Sequence, residues 1–242
     1  MAKNIEAKLF RKTEVARDTW SFEFDAPGER FEFLPGQFIT LSLPDQNGLD
    51  ADESSRTFSL ASSPGESHVM VATRLTGSPF KKALAALERG TAASMDGPSG
   101  RFVFDAPGTL PVVFLAGGIG ITPFRSMIKF AMERKLPHRI LLVYSNRTPE
   151  DAAFLDEMKH CADTRENFRL LATMTQPEKS SANWNGQTGH IDADFLRKNV
   201  RYLPEAICYV AGPPRFVGAM KQSLQDAGVP KELVQAEEFT GY

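Results

Sequence analysis

The apolar positions of this chain follow two rhythms. Up to about residue 105 they come in short runs, such as Trp20-Ser21-Phe22-Glu23-Phe24 and Phe38-Ile39-Thr40-Leu41-Ser42-Leu43. Turn-forming clusters separate those runs: Ala26-Pro27-Gly28, Leu34-Pro35-Gly36 and Pro44-Asp45-Gln46-Asn47-Gly48. Several short strands punctuated in this way predict an antiparallel β-barrel or sandwich. One helix interrupts them, Phe80 to Arg89, with Leu84 and Leu87 on one face and Gly90 as its stop.

From Val112 onward strands alternate with helices. Val112-Val113-Phe114-Leu115-Ala116 reads as a buried strand, and Phe124, Met127, Ile128 and Ala131 follow at helical spacing. Further strands are expected at Arg139–Ser145, Phe168–Thr173 and Ala206–Ala211, with helices near Glu150–Cys161, Ala193–Lys198 and Pro214–Ala227. Gln176 to Thr188 reads as a polar loop. Such alternation predicts an α/β Rossmann-like parallel sheet with helices on both faces. The Pro- and Gly-containing stretch Asp105–Pro111 marks the join, so two domains are expected, residues 1–106 and 107–242.

Composition narrows the function classes. The 242 residues are 42% hydrophobic and 24% charged with a formal net charge of −2, which excludes a strong electrostatic footprint for nucleic acid or anionic membrane. No apolar run reaches the ~18–20 residues of a membrane span. The first eight residues, Met1 to Lys8, lack the apolar region of a cleaved signal, so a cytoplasmic location is expected. Only Cys161 and Cys208 occur, too few for a disulfide framework or the four thiolates of an ordinary iron–sulfur cluster. His68, His138, His160 and His190 show no metal-ligand spacing, and no metal is expected.

Three places combine glycine with a helix start, where free amides and the helix dipole attract phosphate. The clearest is Gly117-Gly118-Ile119-Gly120-Ile121-Thr122-Pro123, between a strand and an amphipathic helix, with Thr122 suited to the N-cap and Pro123 to the first helical position. The second is Thr76-Gly77-Ser78-Pro79-Phe80, and the third Ala211-Gly212-Pro213-Pro214. In a doubly wound sheet the first and third open on one crevice.

These motifs, in this order and with Arg56-Thr57-Phe58-Ser59, resemble the ferredoxin–NADP reductase family over nearly the whole chain. Gly97-Pro98-Ser99-Gly100-Arg101-Phe102 and the near-terminal Glu238-Phe239 also match its pattern. The resemblance implies FAD on the N-terminal barrel and NADP or NAD on the C-terminal domain. It implies that Arg56 holds the flavin pyrophosphate with its guanidinium fork, that Phe58 stacks on the ring, and that Ser59 hydrogen-bonds near flavin N5. Thr57, Ala72, Thr73, Arg74, Gly77 and Ser78 complete the flavin contacts, while Gly117, Gly118, Gly120, Thr122, Gly212 and Pro213 face the nucleotide. Two departures stand out: Phe58 replaces the family tyrosine and loses its hydroxyl, and Ala211 replaces the cysteine of Cys-Gly-Pro-Pro.

After the second strand of the nucleotide half, Ser145 and Arg147 suit a 2′-phosphate, whereas Glu150 and Asp151 suit a ribose hydroxyl; NADPH is favoured. Glu238 is expected near the hydride site, with Phe239 and Tyr242 as candidate covers for the flavin ring. The expected activity is an FAD-dependent NAD(P)H oxidoreductase passing single electrons to an external ferredoxin, flavodoxin or oxygenase iron–sulfur component. Two cysteines leave the chain no cluster of its own, hence the external carrier. Two alternatives stay open: an NAD(P)H:flavin reductase that uses flavin as a substrate, and a redox-sensing FAD/NAD(P)-binding module without turnover.

Overall fold

The computed structural model describes residues 3–26, 31–44, 50, 53–108 and 110–240. Six strands form the N-terminal sheet: β1 (Lys3–Ala16), β2 (Thr19–Asp25), β3 (Phe38–Ser42), β4 (Ser55–Ser59), β5 (Val69–Arg74) and β6 (Ala92–Ser99). All its pairings are antiparallel, in the order β4-β3-β6-β1-β2-β5. The sheet curls into a half-barrel around Leu9, Phe22, Phe24, Ile39, Leu41, Val71 and Met95. Helix α1 (Pro79–Ala86) adds Phe80 and Leu84 to that core. It ends three residues before the expected Arg89. Leu87 is already extended, and Lys12 Nζ donates to the carbonyls of Ala85 and Leu87 at 2.6 and 3.0 Å.

The C-terminal half is a six-stranded parallel sheet in the order β10-β9-β8-β7-β11-β12. Its strands are β7 (Val112–Gly117), β8 (Ile140–Asn146), β9 (Phe168–Met174), β10 (Gln187–Thr188), β11 (Ile207–Gly212) and β12 (Val234–Glu238). The helices are α2 (Ile121–Glu133), α3 (Leu155–Thr164), α4 (Ala193–Asn199) and α5 (Pro214–Asp226). Alternate strand residues feed opposite cores. Phe114, Leu142 and Tyr209 pack with α2 and α3, while Leu115, Val143 and Val210 pack with α4 and α5. The first of these cores also takes in Ala72 and Phe102 from the N-terminal half, so α2 lies pressed between the parallel sheet and the barrel.

Two expectations about helix starts change, and one about a loop. A 3₁₀ turn, Gly118–Gly120, runs straight into α2, so Gly120 holds the N-cap position and Thr122 lies inside the first turn, its hydroxyl donating to Ile119 O at 3.1 Å. The helix expected from Glu150 begins only at Leu155. Tyr144 Oη claims the Ala153 carbonyl at 3.0 Å, and Phe154 takes a left-handed φ of 58°. The polar stretch 176–188 carries a 3₁₀ turn and the two-residue β10, and it is tied down by Glu150. Strand β12 was not foreseen; it pairs Gly212 with Glu238 at the edge of the sheet.

Since β8 lies on one side of β7 and β11 on the other, the strand order reverses between β7 and β11, where a ligand crevice forms at the strand carboxyl ends. Gly120 makes that junction possible. A Cβ there would lie 2.1 Å from Ala211 O and 2.7 Å from Gly212 Cα, both backbone atoms. Gly120→Ala is therefore expected to destabilise the fold by about 1–3 kcal/mol in urea denaturation. Gly77→Ala, where a Cβ meets nothing within 4 Å, should stay within about 0.5 kcal/mol of the parent. Equal stability of the two variants would contradict this packing.

Candidate active site

A cavity of about 570 Å³ opens between the two halves. Strand β4 lines it with Arg56, Thr57, Phe58 and Ser59, β5 with Ala72 and Thr73, and the start of α1 with Ser78 and Lys81. Phe38 of β3 joins them. Ile119 and Thr122 enter from the nucleotide half, and Glu237, Glu238, Phe239 and Thr240 from the end of β12. The two edge strands of the half-barrel thus face the switch-point crevice of the parallel sheet.

One end of the cavity is cationic. The Arg56 guanidinium sits 5.5 Å from the centre of the Phe80 ring, and its Nη1 donates to Ser55 O at 2.6 Å. Lys81, only 8% exposed, stands beside it; burial and then the Arg56 charge push its pKa down. Ser78 caps α1, its hydroxyl accepting from the Lys81 amide. Two cations crowded at a helix N-terminus suit a multiply charged anion such as a pyrophosphate. Lys81 was not among the residues singled out in the sequence. The available signal was its place three residues after the capping serine, one turn up the same helix face.

The other end is less polar. Phe58 is half-buried and lies 5.9 Å from Phe80, ring centre to ring centre. Ser59 Oγ donates to Glu237 Oε2 at 3.2 Å. Burial raises the Glu237 carboxyl to about 7, and the Ser59 hydrogen bond offsets only part of that. Glu237 was missed in favour of its neighbour. Alternation along β12 turns adjacent carboxylates to opposite faces, so Glu237 reaches Ser59 while Glu238, at the cavity rim, is exposed and lies 3.9 Å from Lys221 Nζ. Phe239 continues the strand pairing, its amide donating to Gly212 O at 2.9 Å. Tyr242 lies outside the described residues.

The remaining sequence candidates lie around the crevice or away from it. Gly118 has a left-handed φ of 55°, and a Cβ there would meet nothing within 4 Å, leaving room for a phosphate to approach. Gly117 and Gly212 both carry the Phe216 ring against them, and Pro213 opens α5. Ser145, one residue before the end of β8, is in register with Gly117 and half-buried, and Arg147, just past the strand, is exposed. Arg74 does not line the cavity: it pairs with Asp151 at 2.8 Å. Gly77 lies just ahead of the α1 cap and does not line the cavity either.

The sequence matches the oxidoreductase FAD-binding domain over residues 6–104 and the oxidoreductase NAD-binding domain over residues 114–222. It is 27% identical to ferredoxin–NADP reductase B of Sorangium cellulosum over 98% of both chains. The chain belongs to the ferredoxin reductase-like family. This is a family of flavoprotein oxidoreductases that bind FAD and a pyridine nucleotide. The glycine betaine monooxygenase reductase subunit of Chromohalobacter salexigens is 30% identical; the alignment covers 95% of this chain but only 63% of that longer protein. Among solved structures, a Neisseria gonorrhoeae ferredoxin–NADP⁺ reductase with bound FAD and NADP superposes with a TM-score of 0.79 at 22% identity, covering 98% of this chain and 99% of that one. That likeness shows the fold. The cavity fits the family's flavin, with cations and helix amides at one end and a ring face with a hydroxyl at the other.

Among the described residues no group of three potential ligands is placed to hold a metal ion, and no helix is long and apolar enough to cross a membrane. The Glu237 carboxyl makes a pH prediction. In the unfolded chain it ionises near 4.5, and in the fold near 7. Between those values the folded state keeps a proton that the unfolded state has lost, so stability falls as pH rises through the window. Glu237→Gln is expected to gain roughly 1–3 kcal/mol over the parent on going from pH 4.5 to pH 8. A stability difference independent of pH would contradict the buried placement.

Proposed function

We propose that the chain takes hydride from NADPH onto FAD and passes single electrons to an external carrier, a ferredoxin, a flavodoxin or the iron–sulfur component of an oxygenase. The observation that carries this reading is the meeting of Ser59 and Glu237 in one cavity beside the Gly117–Gly120 helix entrance. Bound FAD supplies the conversion between a two-electron hydride and single electrons. Arg56, Lys81 and the first amides of α1 hold its pyrophosphate, and Phe58 supports the ring. Ser59 offers a hydroxyl at the hydride-accepting edge, and Glu237, ionising near neutrality, can hold or release a proton through that hydroxyl. The nucleotide lies across the crevice from Arg147 and Ser145 to Gly120 and Gly212. Ser59, Glu237 and Glu238 are the residues assigned to the reacting end.

The preference for NADPH rests on where the competing acids are spent. The Glu150 carboxylate accepts hydrogen bonds from Ser180 Oγ, Ser181 N and Oγ, and Ala182 N, at 2.8–3.2 Å. Its own backbone amide, then Ser181 and Ser180, hold its pKa well below the usual carboxylate range. Asp151 is taken by Arg74. Arg147 remains as an exposed charge after β8. The external carrier is supported by relatives such as the reductase component of a propane 2-monooxygenase of Rhodococcus jostii, 26% identical over 98% of this chain and 64% of that protein.

Anaerobic stopped-flow mixing of the FAD-loaded protein with each nucleotide, and then with candidate carriers, tests both parts. NADPH should reduce the flavin with the higher kcat/KM, and Arg147→Ala should lower that value about tenfold while sparing NADH. An NADH value equal to or above that for NADPH, or an unchanged preference in Arg147→Ala, contradicts the donor assignment. Loss of FAD on desalting, with free flavin as the better acceptor, contradicts the external carrier.

A further inference from the structure

Arg125 lies in α2, one turn after Thr122, and its side chain is 6% exposed. A guanidinium has five N–H donors, and here all five are used. Nε and Nη2 donate to the two Glu157 oxygens at 2.8 and 3.0 Å, and Nη1 and Nη2 to the two Glu66 oxygens at 2.9 and 3.0 Å. The fifth bond runs from Nη1 to Ala61 O at 2.6 Å. The group also lies 5.2 Å from the centre of the Phe154 ring. Glu157 belongs to α3, on the nucleotide side; Ala61 and Glu66 belong to the segment that leaves β4, on the flavin side.

The same helix grips that segment a second time two turns later, where Ser63 Oγ donates to both oxygens of Glu133 at 2.8 and 2.7 Å. Within the segment, Ser63 N donates to Glu66 at 2.7 Å and Gly65 N to Ser63 Oγ at 3.2 Å. The covalent path from Ser59 to Ala61 is two residues long. One hydrogen bond then reaches Arg125, and one helical turn reaches Thr122 at the nucleotide entrance.

We propose that Arg125 is a positioning residue for hydride transfer: its doubly bidentate fork, with Glu66 and Ala61 O on one side and Glu157 on the other, sets the spacing between the flavin wall and the nucleotide entrance. The role rests on the function proposed above. Burial opposes the charge, but the hydrogen bonds of Glu66 and the field of Glu157 hold it on the guanidinium. Lysine, with three donors on a point charge, cannot make the double fork. Since a misplacement of about 1 Å costs on the order of 100-fold in rate, loss of the clamp falls on the transfer step more than on binding.

The test uses FAD-loaded parent, Arg125→Met, Arg125→Lys and Glu66→Gln. Glu66→Gln keeps the side-chain shape while removing one of the two Glu66 acceptors and its charge from the barrel side of the fork, should Arg125→Met fail to fold. The expected result is an NADPH-to-flavin transfer rate constant lowered about 10- to 100-fold at saturation. The NADP⁺ dissociation constant should change less than about threefold, since no clamp residue lines the nucleotide crevice. The long-wavelength charge-transfer absorbance of the nicotinamide–flavin complex should weaken in parallel, and Arg125→Lys should recover part of both. In the apoprotein, amide exchange of residues 60–66 should accelerate in Arg125→Met and Glu66→Gln, with β1 and β2 unaffected. Variants that lose thermal stability yet keep the parental transfer rate constant and charge-transfer band overturn the positioning role. A parent whose flavin NADPH does not reduce overturns the functional reading, and the positioning role with it.

Discussion

The arrangement depends on one buried cation whose every donor is spent. Arg125 stands where the flavin barrel, α2 and α3 converge, and it is neutralised from both sides by Glu66 and Glu157. Removing one partner from such a buried network typically costs about 3–5 kcal/mol, because a charge is left without compensation. Apolar side chains could have filled the same space. A fixed fork accepts one arrangement of two carboxylates and a carbonyl, so the contact specifies geometry as well as adhesion.

That geometry matters because neither half holds the candidate site alone. Ser59 comes from an edge strand of the barrel and Glu237 from an edge strand of the parallel sheet, 178 residues later, yet they share a hydrogen bond. The cationic end belongs to the barrel through Arg56, Ser78 and Lys81, and the crevice at the strand ends to the switch between β7 and β11. A second set of ion pairs, Arg17 and Arg74 against Glu150 and Asp151, joins the halves beside the end of β8. The linker is held as well: Asp105 accepts from Tyr209 Oη at 3.0 Å.

The nucleotide half was the more legible part of the sequence. Its central strands are buried on both faces, so Val112–Ala116 and Ala206–Ala211 stand out as apolar runs between helices. In the barrel, β1 reads as Lys-Asn-Ile-Glu-Ala-Lys-Leu-Phe-Arg-Lys-Thr-Glu-Val-Ala, a half-solvated strand whose polar face hides its length. Strand β12, Val-Gln-Ala-Glu-Glu, is a polar edge with no apolar run to mark it, and the difference between Glu237 and Glu238 depends on its alternation. The glycine entrances could be read because backbone requirements are local. Arg125 could not be assigned, since its partners Ala61, Glu66 and Glu157 come from distant segments.

The central claim is that the barrel wall and the glycine entrance form one reaction site held at a fixed spacing. A crystal structure of the FAD-loaded protein with a non-reducible NADPH analogue measures that spacing. The account predicts nicotinamide C4 about 3–3.5 Å from flavin N5, between Ser59 and Glu237, with the five Arg125 hydrogen bonds intact. A nicotinamide bound outside this cavity, or a stacked pair reached only after Arg125 has released Glu66, would contradict it.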